Sequence, residues 1–176
     1  MSSSPPAEQH PQPLPIIICA TNPEHFTYVI DQIKPSVEVL AVFTSVSTAT
    51  TELPLLLSGY PTMPSSGYGS LSQQSIDPPS MPRAVIVAGG FSDDDYASIK
   101  QAAESSLPQA SLSDEVIGGG EGVTWFRPDP STRVRAVPPT REELAARLKA
   151  ALAKWTDDQA EAEAKGEAYQ ARERWL

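Results

Sequence analysis

Four short, predominantly apolar runs punctuate the chain at residues 15–20, 37–43, 83–88 and 123–126, and segments of helical length separate them. Continuous runs mark strands buried on both faces, because a half-exposed strand needs a polar residue at every second position. Such strands, alternating with helices, pair in parallel, since each connection must return the chain to the same end of the sheet. The right-handed crossover rule then predicts a small doubly wound α/β sheet of four strands in the order 2-1-3-4, with helices on both faces in three layers. The third run organises the rest. Arg83-Ala-Val-Ile-Val-Ala88 is followed by Gly89 and Gly90, and Ser92 caps a helix with Asp93, Asp94 and Asp95 in its first turn.

The intervening segments carry helix signals of their own. Asn22 is the expected N-cap of the first helix, with Pro23 at its first position and Glu24 in the electropositive first turn. Phe26, Val29, Ile30 and Ile33 then fall on one face, and Pro35 ends the helix. Residues 48–57 predict a short helix interrupted or restarted near Pro54. Residues 92–105 predict another, with Tyr96, Ile99 and Ala103 inward. Thr140-Arg-Glu-Glu143 is a capping box that opens the best-patterned helix, with Leu144, Leu148, Ala151, Leu152 and Trp155 inward.

Three stretches lie outside this pattern. Residues 1–13, rich in Pro, Ser and Gln, bury too little to fold and are expected to be a disordered tail before an α/β domain over residues 14–156. Residues 59–82 form a Pro/Ser/Gly-rich insertion, expected to be mostly disordered, with Tyr60 and Tyr68 in a half that could close as a lid. Residues 157–176 keep helical propensity but only one larger or apolar residue every seventh place, at Trp155, Ala162, Tyr169 and Leu176. They are expected to be a helical tail with a weak point at Gly166. Its exposed Trp175 would dock either on its own domain or on a second subunit.

Pro15-Ile-Ile-Ile-Cys19, Leu53-Pro-Leu-Leu-Leu-Ser-Gly59, Val85-Ile-Val-Ala-Gly-Gly90 and Trp125-Phe-Arg-Pro-Asp129 together resemble short, largely uncharacterised Rossmann-like proteins of filamentous fungi. The resemblance implies a Rossmann-like or flavodoxin-like fold and transfers no activity.

In an open α/β sheet ligands sit beyond the carboxyl ends of the strands, at the switch point of the topology. The residues expected there are Cys19, Thr21, Asn22 and His25 after the first strand, and Thr44, Ser45 and Ser47 after the second. The third strand adds Gly89, Gly90, Ser92 and Asp93, and the fourth adds Arg127 and Asp129. Cys19 with His25 is the one nucleophile–base candidate, with a buried structural thiol as the alternative. Arg127 and Asp129 could orient a carboxylate-bearing ligand, or form a surface ion pair. The dinucleotide fingerprint Gly-x-Gly-x-x-Gly is missing after the first strand, where Cys19-Ala-Thr-Asn-Pro-Glu-His25 stands instead. Gly89-Gly90 is followed by three aspartates, whose charge opposes a bound phosphate. With two histidines and one cysteine, no metal site and no cofactor are expected.

A net charge of -9 argues against nucleic acid and anionic lipid as partners. The amino-terminal residues lack the basic and apolar blocks of a secretory signal, so the cytoplasm is the expected compartment. The expected function is therefore a non-catalytic interaction or ligand-binding protein, with a homo-oligomer or protein partner held by the carboxy-terminal helix. The alternatives are a cofactor-independent isomerase, cyclase or lyase using His25, Cys19, Asp93 or Asp129 in acid–base chemistry, and an NAD(P)-binding protein of non-standard mode.

Overall fold

The computed structural model describes residues 12–60, 62–73, 80–106, 122–129, 139–166 and 173–176. In chain order its elements are β1 (Leu14–Cys19), α1 (Pro23–Ile33), β2 (Val37–Phe43), α2 (Val46–Leu57), β3 (Ala84–Val87), α3 (Asp93–Ser106), β4 (Thr124–Arg127), α4 (Arg141–Ala164) and β5 (Glu173–Trp175). All pairings are parallel, and the strand order is β2-β1-β3-β4-β5. The expected order of the first four strands holds, and a fifth strand extends the sheet beyond β4.

Strand side chains divide between two separate apolar clusters. Ile17, Cys19, Phe43, Val85, Val87 and Trp125 pack with α2 and α3, chiefly on Leu53, Leu56, Tyr96 and Ile99. Ile16, Ile18, Val42, Ile86 and Phe126 pack with α1 and α4, chiefly on Phe26, Ile33, Leu148 and Trp155. Both faces of each inner strand are therefore dry, which is why the runs carry no polar alternation.

The helices start where their caps stand. The Glu24 N–H donates to Asn22 Oδ1 (3.0 Å), and the Thr48 N–H donates to Ser45 Oγ (3.2 Å). Thr140 and Glu143 form the full reciprocal box at the head of α4. Pro54 does not interrupt α2, contrary to expectation. It removes one N–H, but its own carbonyl accepts from the Ser58 N–H (3.1 Å) and hydroxyl (2.8 Å), and buried Leu53, Leu56 and Leu57 hold the helix down.

The expected helix over residues 157–176 is corrected at its far end. Gly166 has φ +67, the left-handed conformation that ends a helix, and α4 stops at Ala164 with Lys165 as its C-cap. Glu173–Trp175 then lies against β4 with Trp125, Phe126 and Arg127 as register partners, and the Leu176 N–H donates to the Arg127 carbonyl (2.9 Å).

Part of the proline-rich insertion is a strap over the outer edge of β2. The Val42 N–H donates to the Tyr68 carbonyl (3.3 Å), and the Ser65 N–H donates to Glu52 of α2 (3.0 Å). The Tyr68 ring meets Phe26 of α1 edge-on at 4.8 Å, while Leu71, in a single 3-10 turn at Ser70–Ser72, is buried beside α2. The strap reaches the strand where β2 is irregular: Ile16 pairs with Val39 and Ile17 with Ala41, leaving Leu40 as the extra residue. Gly69 fits against it with φ +103, and a Cβ there would stand 2.3 Å from the Leu40 carbonyl oxygen. Residues 61 and 74–79 of the insertion, and the tail before residue 12, lie outside the described residues. Gly69→Ala is therefore expected to lower stability in urea unfolding by about 1–3 kcal/mol. Gly67→Ala, with φ +74 and nothing within 4 Å, should cost less.

Candidate functional site at the strand carboxyl edge

The switch point lies between β1 and β3, where the loops that follow these strands could part to admit a ligand. They do not part. The Ala20 N–H donates to the Phe43 carbonyl (2.9 Å) and the Ala88 N–H to the Cys19 carbonyl (2.8 Å), so the backbone ladder runs to the ends of the strands. Beyond it Thr21 sits directly on Gly90: a Cβ on Gly90 would lie 2.1 Å from Thr21 Oγ1 and 3.1 Å from Thr21 Cβ. Gly90 is needed for this close approach of side chain to backbone. Gly89 borders Pro128, at 3.8 Å from a Cβ built on it, so the loop after β4 also touches that after β3. Phe91 is buried in the cluster with α2 and α3.

The polar residues expected at this edge are largely engaged in local structure. Asn22 and Ser45 are N-caps, and Ser92 exchanges hydrogen bonds with Asp95, from the Ser92 N–H to Asp95 Oδ2 (2.8 Å) and from the Asp95 N–H to Ser92 Oγ (3.1 Å). Hydrogen bonding to the Asp95 carboxyl from the Ser92 backbone N–H first, and then from the Ser92 side chain, holds it below its ordinary 3.8. Thr21 is exposed, Thr44 and His25 are partly buried, and Asp129 is partly buried after Pro128. Cys19 is fully buried in the cluster with α2 and α3, and that burial pushes its thiol from 9.0 up to about 12. A thiol in this setting stays protonated at neutral pH and packs as a small apolar side chain. Among the described residues no three His, Cys, Asp or Glu side chains gather as a metal site.

Arg127 is the centre of the edge's electrostatics, with partners that sequence spacing did not name. Its guanidinium is ion-paired with Asp93, and Nη1 lies 3.2 Å from Glu173 Oε1. It is held between two rings, with Tyr96 4.4 Å and Trp175 5.1 Å from their centroids. Lys100 Nζ lies 3.7 Å from Glu173 Oε2, so each oxygen of that carboxylate faces a different cation. Burial first, and then the Glu173 charge, push the Tyr96 phenol above its ordinary range. The structure thus joins Asp93 and Arg127 of the expected set to Tyr96, Lys100, Glu173 and Trp175. The signal for the last was the aromatic residue at position 175; that for Tyr96 and Lys100 was absent, because helical periodicity assigns Tyr96 to the core and Lys100 to the surface.

A groove of ≈ 440 Å³ lies elsewhere, at the amino end of β2, bordered by Ile30 and Asp31 of α1 and its C-cap Lys34, by Val39, and by Tyr68 and Gln73 of the strap. Asp31 and Lys34, three residues apart, are themselves paired at 3.4 Å. No helix among the described residues is long and apolar enough to cross a membrane.

The contact at the switch point is testable. Gly90→Ala is expected to cost about 1–3 kcal/mol in urea unfolding through overpacking. Thr21→Ala in the same chain should recover most of that loss, because it removes the clashing Oγ1; a double mutant no better than the single would mean that the two residues are not coupled.

No family model matches the chain, and no solved structure matches it. Among curated proteins it is similar to Kojic acid related protein 6 of Aspergillus oryzae (strain ATCC 42149 / RIB 40), 25% identical over 128 residues, which is 73% of this chain and 67% of that protein. The likeness accords with fungal relatives.

Proposed function

We propose that the chain is a Rossmann-like α/β protein, three layers deep, that acts in the cytoplasm by binding a protein partner and performs no nucleotide-dependent chemistry. One observation carries this reading: Thr21 packs directly on Gly90 at the switch point, where a pyrophosphate would have to approach the backbone. The division of strand side chains between two clusters, each with two helices, supports the layered build. The engagement of Asn22, Ser45 and Ser92 as caps, and of Asp93 with Arg127, leaves the acid–base alternative short of groups held in readiness at the edge.

A second reading is favoured by the groove beside α1 and by the words "kojic acid related" in the relative's name: a binder of a small molecule at that groove. Thermal unfolding of the full chain separates the two. A ligand that binds only the native state stabilises it by about 2.7 kcal/mol at a hundred times its dissociation constant. Nicotinamide and flavin nucleotides, mononucleotides and small carboxylates are expected to leave the melting temperature unchanged. A reproducible rise with any nucleotide overturns the proposal, and a rise with kojic acid alone establishes the second reading.

A further inference from the structure

β5 is held to the sheet in an uneven way. The acceptor side belongs to the body of the fold: Arg127, with its side chain 14% exposed, buried Tyr96 and Trp125, and the edge of β4. The donor side is a strand of three residues, with Trp175 50% exposed, paired along one edge only. Its side chains alternate in the manner of any strand. Glu173 meets Arg127 and Lys100, Trp175 lies over the Arg127 guanidinium, and Arg174 between them pairs with Asp158 of α4 at 2.7 Å. Acid, base and aromatic are each recognised by a complementary group fixed on the body of the fold. This is the chemistry of peptide recognition by strand addition, in which main-chain bonds hold the segment and alternate side chains select it.

We propose that the outer edge of β4, with Arg127, Lys100, Tyr96 and Asp158, is a docking site for an extended segment of a partner protein carrying an acidic, a basic and an aromatic residue in succession, and that β5 is the internal segment occupying it. The charge complementarity identifies the partner: the acid must face two cations, the base one carboxylate, and the ring a guanidinium already stacked on Tyr96. A tethered segment competes at high effective concentration, so the partner gains the site by pairing along more of β4 than three residues, or when β5 is drawn away. The inference rests on the reading of the chain as an interaction protein. Nucleotide binding would remove that reading, whereas the titration below tests this edge alone.

The test uses the full chain and a fluorescent peptide with the sequence of residues 167–176 as probe, followed by anisotropy. In Glu173→Lys the added charge repels Arg127 and Lys100 and loosens β5; Trp175→Ala loosens it without adding charge. Native circular dichroism and cooperative melting check that each variant is folded, and the test proceeds with whichever is. The loosened chain is expected to bind the probe about tenfold more tightly than the wild-type chain, and to lose that gain when Arg127→Met is added or when the probe carries Gln in place of its Glu173. Equal binding by wild-type and loosened chains, or binding indifferent to Arg127, overturns the proposal. Exchange of β5 between copies, seen as a wild-type dimer that Trp175→Ala dissolves, overturns it too, by making the occupant a second copy.

Discussion

A parallel sheet leaves a row of unpaired N–H and C=O groups along each outer strand, and those groups must be covered, paired or kept short. Among the described residues, a strap on one side and a short strand on the other answer that constraint. On the β2 side, residues 64–71 lie over the edge, with Tyr68 bonded to Val42 and Gly69 against Leu40. On the β4 side, β5 takes the bonds and is itself only three residues long. The long insertion after α2 thus has a structural reason: it runs from Glu52 of α2 to the Tyr68–Phe26 contact on α1, bridging the helices on either side of the outermost strand.

The same economy shapes the carboxyl edge. In a nucleotide-binding sheet this edge is kept open by glycines that let a pyrophosphate approach the backbone. Here Gly90 serves a side chain of the same molecule, Thr21, and the helix N-termini on either side are satisfied by Asn22, Ser45 and Ser92. The Arg127 guanidinium is bound by two carboxylates and two rings.

The order of the first four strands and the inward faces of α1, α3 and α4 were legible in the sequence, because burial on both faces forces continuous apolar runs and amphipathic helices. β5 was not. Glu-Arg-Trp has no apolar run, and its pairing depends on Arg127, 46 residues earlier, which no local pattern reveals. The strap escaped for a similar reason: among its described residues Leu71 is the buried aliphatic anchor, and its fit depends on an irregularity at Leu40 set by pairing with β1. At the edge, Asn22 and Ser45 cap helices, and Cys19 faces the core. Arg127 was singled out with Asp129 because they flank Pro128, whereas the ion pairs it makes in the fold are with Asp93 and Glu173.

The central claim is that the switch point is closed by the chain itself. It is tested most directly by following the backbone amide resonances of Thr21, Gly89, Gly90 and Ser92 while the full chain is titrated with NADH and with FMN. The account predicts that these amides do not move at nucleotide concentrations where a binding site would fill. Saturable shifts centred on Thr21 and Gly90 would contradict it, and would mean that the two loops open to admit a ligand.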